Sequence, residues 1–303
     1  MTSVAVTRPV EDTRPVRKRP LTVSRVVLHA FLAITALVWL APVAWAVFTS
    51  FRPYSDTAEH GYVSWPHTLS LSNYRNAWDQ GDIPLHFWNS MIITIPAIVL
   101  ILLFSSAVAF VVSRFSFWFN VPLLIFFMAA NLLPQQVIIT PVYEMYLRIH
   151  LPTWLSGSGL AYDSFIGLIA INVAFQTGFC TFVLSNYMKT LPKSLSEAAR
   201  VDGAGVTRQY FGIVLPLCKP AFAALAVLEF TWIYNDFFWA IVLMSSGDKR
   251  PITTSLANLS GLYFTDNNLI AAASVLVALP TIMVFALLQR QFISGLTLGS
   301  TKE

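Results

Sequence analysis

Residues 196–216 read SEAARVDGAGVTRQYFGIVLP. Glu197, Ala198 and Ala199 open the stretch, Gly203 follows after three residues, and Ile213, Leu215 and Pro216 follow after nine more. The segment is polar and helix-prone, yet long apolar runs flank it on both sides. A helix of Ser, Glu, Ala and Arg has no hydrophobic face wide enough to anchor in lipid. Spans on either side would hold it against the surface of a bilayer, where it is placed to touch a soluble partner. What surrounds this stretch decides the fold class.

Hydrophobic residues make up 56% of the 303 positions and charged residues only 11%, with a mean hydropathy of +0.64. A soluble chain carries roughly a quarter charged residues, so the solvent for most of this chain is lipid. Crossing ~30 Å of hydrocarbon at ~1.5 Å rise takes about 20 apolar residues. Six segments are long enough, at roughly 26–49, 88–112, 121–142, 164–187, 221–244 and 268–289. Their apolar character is unbroken, whereas barrel strands would alternate over roughly 10 residues. The expected fold is therefore all-α: a polytopic membrane protein of six transmembrane helices in one domain, residues 26–293. The polar segment 188–220 lies between spans 4 and 5, and residues 294–303 form a short tail.

Orientation follows from Lys and Arg, which favour the cytoplasmic side. With a cytoplasmic N-terminus, fourteen of the nineteen fall inside: six before residue 26, then Arg114, Lys189, Lys193, Arg200, Arg208, Lys219, Arg290 and Lys302. Arg52, Arg75, Arg148, Lys249 and Arg250 make up the five outside. Both termini are then expected in the cytoplasm of a bacterial cell, with the chain in its plasma membrane. The net charge of +4 is mostly this topology, and no basic and aromatic interleaving suggests a nucleic-acid partner. Residues 1–25 read as a disordered basic tail. The apolar run behind them is too long for a signal peptide and lacks a small-residue cleavage site. Cys180 and Cys218 lie in or beside spans and suggest neither a disulfide framework nor a metal site.

Polar residues inside the spans are the candidates for function. Asn131, Gln135 and Gln136 fall with Pro134 and Pro141 in the outer half of span 3, where the prolines disturb the helix. Asn172 and Gln176 in span 4 are four apart and share a helical face. Span 5 carries Glu229, Asn235 and Asp236, and the two carboxylates, seven apart, are expected on one face. Such groups are costly in lipid and turn to a bundle interior or a watery path. They serve either interhelical hydrogen bonding, worth on the order of 1 kcal/mol each, or hydroxyl recognition along a path. Ser194 or Ser196 can cap the polar helix, with Glu197 in its first turn, and Gly203 can end it. The loop 51–87 is expected to lie along the outer surface without forming a separate domain.

The spacing E-A-A, three residues, G, nine residues, I-x-L-P resembles the EAA loop of bacterial ABC-transporter membrane subunits, and every fixed position is met. Three further places resemble the maltose-type permeases of carbohydrate-uptake importers: Leu133-Pro134 through Pro141-Val142-Tyr143, Trp232…Asn235-Asp236, and the tail from Gln289 to Gly299. Here Ile233 and Tyr234 interrupt a family motif in which Trp, Asn and Asp are contiguous. The resemblance implies the fold of a type I importer permease that moves a sugar or small oligosaccharide inward by alternating access and performs no chemistry itself. It implies pairing with a second, homologous permease, two copies of a cytoplasmic ATPase, and an extracytoplasmic solute-binding lipoprotein. ATP and magnesium would sit on the ATPase, with no cofactor on this chain. Glu197, Ala198, Ala199, Asp202, Gly203, Ile213, Leu215 and Pro216 would couple to that ATPase. Asn131, Gln135, Gln136, Asn172, Gln176, Asn235 and Asp236 remain candidates for the path.

Leu155 to Gly159, LSGSG, matches the signature of ABC ATPases, but no GxxxxGK[ST] phosphate loop exists in the chain. A polyol or glycerol-3-phosphate is an alternative cargo, although no arginine lies inside a span. An ion-coupled secondary transporter is the alternative class, marked by internal repeats and midplane ionisable sites. A membrane enzyme would need a nucleophile and base set that the five scattered histidines do not supply.

Overall fold

The computed structural model describes residues 23–259 and 265–297. The chain divides into two units, residues 1–45 and 46–303. In the first, the described residues are the greater part of helix α1 (Val23–Ser50), with Pro42 inside it. The second unit opens with α2 (Tyr54–His60) and α3 (Ser72–Gln80), then the long α4 (Ile83–Arg114). There follow α5 (Asn120–Leu132), a 3₁₀ turn Gln135–Ile138, α6 (Ile139–Arg148) and α7 (Phe165–Thr190). Next come α8 (Lys193–Val201), α9 (Val206–Gln209), a π-type turn Tyr210–Val214, α10 (Leu215–Leu217), α11 (Lys219–Tyr234), α12 (Phe238–Leu243), α13 (Ile252–Asn258) and α14 (Asn267–Thr297). Among the described residues there is no strand, only a lone bridge between His150 and Leu160.

Four helices, α1, α4, α7 and α14, are each long and apolar enough to cross a membrane. Two bent pairs bring the number to six if each counts as one span: α5 with the 3₁₀ turn and α6, bent by 89°, and α9–α10 with α11, bent by 71°. The α4–α7 pair is the most extensive helix contact and forms the centre of the bundle. Ile93, Ala97, Ile101 and Phe110 of α4 meet Leu168, Ile171, Leu184 and Met188 of α7, with Ala221, Leu225 and Ile233 of α11 closing the cluster. Ala97 and Ala221 among these large side chains let helix backbones approach, which helps pack a bundle in lipid where no hydrophobic drive operates between helices. Gly178 of α7 shows the same economy, since an added Cβ would stand 3.1 Å from the Cβ of Phe127 on α5.

The first break has a covalent cause. Pro134 forces Leu133 into extended backbone (φ −68°, ψ 128°), so α5 stops at Leu132. A further break, separate from the two bent pairs, departs from the expected single span over 221–244. There α11 ends at Tyr234, and a new short helix, α12, starts at Phe238. Asn235 turns its amide back onto Thr231 O at 2.7 Å, and Asp236 Oδ1 accepts from Trp239 N at 3.1 Å. Both side chains satisfy backbone groups locally and so interrupt the helix. The expected shared face of Glu229 and Asp236 is therefore lost, because no single helix carries both.

The cap of α8 also differs from expectation. Pro192 (ψ 129°) stands at its N-cap position without a side-chain cap, so the helix begins at Lys193. Neither Ser194 nor Ser196 caps it, and Ser196 Oγ is buried with no hydrogen bond. Glu197 sits in the second turn, beyond the first-turn position expected for it. At the other chain end, residues 294–297 continue α14, and 298–303 of the expected tail lie outside the described residues. Most of the expected basic tail, 1–22, also lies outside them, and α1 begins at Val23.

The loop after α1 is more highly built than its sequence suggested. Arg52 is 1% exposed; its Nε donates to Asp56 at 2.9 Å and its other nitrogens to the carbonyls of Gly61, Tyr62 and Ser64. Asn268 of α14 donates to Arg52 O at 2.8 Å and to Thr57 Oγ1 at 2.7 Å, which ties α14 to α2. Burial alone would raise the Asp56 carboxyl. The Arg52 guanidinium, the His67 N–H and the nearby His60 outweigh it and hold the group below the usual carboxylate range.

Candidate functional site

The breaks at Pro134 and at residues 235–237 open onto one cleft. A cavity of about 320 Å³ is lined by Asn131, Gln135, Asn172, Phe175, Gln176, Trp232, Asp236 and Trp239. Asn131 and Gln135 stand on either side of the Pro134 break, Asn172 and Gln176 are one turn apart on α7, and Asp236 lies in the gap between α11 and α12. Five of the seven polar path candidates thus meet. The other two do not line it: Gln136 is exposed, and Asn235 is exposed and bonded to Thr231 and Thr281.

The hydrogen bonding leaves part of this lining open. Asn131 Nδ2 donates to Phe175 O at 2.9 Å, and Asn172 Nδ2 to Leu168 O at 2.9 Å and to Asp236 Oδ2 at 3.4 Å. These contacts use amide donors and leave amide oxygens available. Gln135 and Gln176 make no side-chain hydrogen bond among the described residues. Three aromatic rings complete the wall. Phe175 and Trp239 lie 5.7 Å apart between centroids, and Trp232 leans on Phe179 at 5.4 Å. Trp239 is nearly buried, and its indole Nε1 has no hydrogen-bond partner. Sequence reasoning missed Phe175, Trp232 and Trp239 as lining residues, since an aromatic side chain in a span reads as core. The signal available was Trp232 itself, one turn before Asp236.

Glu229, fully buried, accepts from Cys180 Sγ at 3.0 Å across the α7–α11 contact. It lies in the packed core and not among the residues lining the cleft.

The second site is the polar segment itself. Ala204 N donates to Ala199 O at 2.8 Å and Gly203 N to Arg200 O at 3.0 Å, with Gly203 at φ 77°. This pair of bonds is a Schellman motif, and the left-handed residue it requires is best supplied by glycine. Beyond the turn, Gln209 Nε2 donates to Ala204 O at 2.8 Å, while the Tyr210 hydroxyl meets that of Ser106 on α4 at 2.7 Å and its ring lies tilted against Phe110. The eight coupling candidates divide accordingly. Glu197, Ala198, Asp202 and Gly203 are exposed around the helix end, as is Pro216 in α10. Ala199 is buried, and Ile213 and Leu215 are half-buried. The same segment exposes apolar side chains that the sequence reasoning passed over: Val201 is 88% exposed, and Val206 and Phe211 are more than half exposed.

Residues 80–297 match the family model described as the binding-protein-dependent transport system inner membrane component. The chain belongs to this family. The family consists of membrane permeases, transport subunits and not enzymes, and its member here is a multi-pass membrane protein. A probable ABC transporter permease protein of Pyrococcus horikoshii is 33% identical over 86% of this chain and 91% of its own length. The permease protein of a diacetylchitobiose uptake system in Streptomyces coelicolor is 29% identical over 90% of this chain and 87% of its own. In fold, the chain is similar to a bacterial ABC transporter that imports the acidic polysaccharide alginate. The TM-score is 0.73 at 20% identity, covering 88% of this chain and 95% of that one.

Proposed function

We propose that this permease is the membrane subunit of an ATP-driven importer that carries a neutral sugar or small oligosaccharide inward, and that the cleft between the two helix breaks is part of its path. One observation carries the reading: amides, a carboxylate and three aromatic rings converge on a single cavity within a lipid-solvated bundle. Sugars offer hydroxyls that both donate and accept, and C–H faces that rest on rings. Amide groups match the first and Trp232, Trp239 and Phe175 the second. The volume, about 320 Å³, falls at the lower end of small-ligand sites, roughly 300–1,000 Å³. Among the described residues no Lys or Arg lines the cleft and Asp236 does, which disfavours glycerol-3-phosphate or any other anion as cargo. The diacetylchitobiose relative supports the sugar class.

Energy enters at α8 in this proposal. The exposed Glu197, Val201 and Asp202 give the end of α8 a mixed polar and apolar surface, suited to a cleft on a cytoplasmic ATPase. Two copies of that ATPase would hold ATP and magnesium, a second homologous permease would complete the path, and an extracytoplasmic binding lipoprotein would deliver the sugar. Closure of the ATPase pair would drive alternating access. Both termini and α8 then face the cytoplasm.

The experiment is uptake into vesicles that hold the complete transporter, with a panel of neutral oligosaccharides, polyols and glycerol-3-phosphate. Uptake of one neutral sugar class, dependent on ATP and indifferent to protonophores, is expected. Uptake driven by an ion gradient without nucleotide would overturn the reading.

A further inference from the structure

A different cavity, of about 300 Å³, lies where the turn between α4 and α5 meets the C-terminal end of α7 and the start of α8. Among the described residues its lining carries three cations, Arg114, Lys189 and Lys193, and no carboxylate. Arg114 donates one guanidinium hydrogen bond to Leu191 O at 3.3 Å, while its buried Nε has no partner. Asn120, also in the lining, uses its amide nitrogen on Val112 O and Phe115 O, and its buried Oδ1 is left without a donor.

This cavity continues into an apolar groove of about 440 Å³ between α5 and α7; Val121, Leu124 and Lys189 line both. The groove runs along α5 from Val121 to Leu132, with Phe182 opposite on α7. At ~1.5 Å per residue that is roughly 16 Å, about half of the ~30 Å hydrocarbon core and thus the depth of one leaflet. A cationic recess at one end of a leaflet-deep apolar groove has the chemistry of a headgroup and an acyl chain.

We propose that this recess and groove bind one anionic phospholipid. Its phosphate lies among Arg114, Lys189 and Lys193, and one acyl chain lies between α5 and α7. Charge complementarity selects this occupant, because basic pockets between membrane helices attract anionic headgroups. Phosphate oxygens supply the missing acceptor for Arg114 Nε in a charge-assisted bond. A glycerol headgroup also offers a hydroxyl to Asn120 Oδ1, whereas a choline headgroup offers none and adds a cation to a cationic recess. Lys193 is the first residue of α8, so the lipid sits directly against the segment proposed to meet the ATPase.

The test is native mass spectrometry of the full-length chain in detergent, titrated with phosphatidylglycerol, phosphatidylcholine or inorganic phosphate. One retained phosphatidylglycerol is expected, with weaker phosphatidylcholine and no displacement by inorganic phosphate. The double variant Arg114→Gln, Lys189→Gln should lose roughly twenty- to thirtyfold in phosphatidylglycerol affinity and much less in phosphatidylcholine affinity, whose headgroup has no net charge. Ile125, which lines the groove, is 62% exposed, so Ile125→Trp should fill the groove without disturbing the fold. It should weaken long-chain but not dihexanoyl phosphatidylglycerol. Unchanged phosphatidylglycerol affinity in the double variant overturns the proposal, as does unchanged long-chain affinity in Ile125→Trp should the double variant fail to fold. Displacement of the lipid by inorganic phosphate also overturns it, leaving an anion site and not a lipid site.

Discussion

The end of α8 and the polar cleft solve opposite problems in one membrane chain. From Lys193 to Ala204 the backbone closes on itself: a proline sets the start, a glycine in the left-handed region sets the stop, and the bonds from Gly203 and Ala204 complete it. What results is an exposed helix end, the segment proposed to meet a partner chain. The cleft has no local closure. It exists because α5, α7, α11 and α12 are brought together, with chain breaks at Pro134 and at residues 235–237 beside its polar side chains. A locally closed element can be presented to a partner without altering the bundle. An element assembled from several helices changes whenever the helices move, which suits a surface that opens and closes around cargo.

Substitutions can pull the two regions apart. The largest effect is expected from Glu197→Lys. Reversing an exposed charge at this helix end should weaken ATPase association by roughly thirtyfold, the scale of a hot-spot contact, while membrane insertion and binding-protein recognition stay intact. Co-purification with normal ATPase stoichiometry would break the distinction. Trp232→Ala and Gln176→Ala should do the converse, lowering uptake by about tenfold each through lost ring and amide contacts. ATPase association, read by the same pull-down, should not change.

A subtler effect is expected at Gly203. Nothing lies within 4 Å of an added Cβ, so Gly203→Ala meets no steric clash, yet it must hold φ 77°. The cost is about 1–2 kcal/mol of local stability, visible as faster amide exchange at Gly203 and Ala204 with the cleft unaffected.

The contact between the loop before α7 and the loop after α12 should respond to pH. Burial would raise the Asp163 carboxyl, but the Ser246 hydroxyl, the N–H groups of Ser246 and Ser245, and the Lys249 ammonium outweigh it and hold it below the usual range. A depressed carboxylate stabilises the fold above its unfolded pKa, and that contribution is lost as pH falls through the folded value. Thermal stability should therefore be level from neutral pH to the usual carboxylate range and then decline on further acidification. Asp163→Asn should lower stability at neutral pH and flatten the acid limb of the curve.

The smallest effect is expected of Ser196→Ala. Its Oγ bonds nothing and it caps no helix, so the change should stay within roughly 0.5 kcal/mol. A larger loss would show that the serine has a partner after all.

How far the sequence carried differs between the two regions for the same reason. The all-α fold, the apolar helices and the Gly203 stop are legible because each follows from composition or neighbouring residues. Asn172 and Gln176 could be placed on one face by their four-residue spacing, and Pro134 announced a break. The convergence of Asp236 with Asn172 could not be read, because it depends on α11 ending at Tyr234. Asn235 and Asp236 cause that end by bonding to nearby backbone, a competition that an otherwise apolar span conceals. The Arg52 knot was invisible for a related reason, since an arginine in a loop reads as solvated until Asp56 and three carbonyls surround it.

The central claim is that the cleft is open to water and to cargo. Thiol labelling of Gln176→Cys in the intact transporter tests it most directly, because the native Cys180 and Cys218 are fully buried and give little background. A water-soluble methanethiosulfonate reagent should label the new cysteine, and the transported sugar should protect it. Absence of labelling, or equal labelling with and without sugar while transport proceeds, would contradict the account.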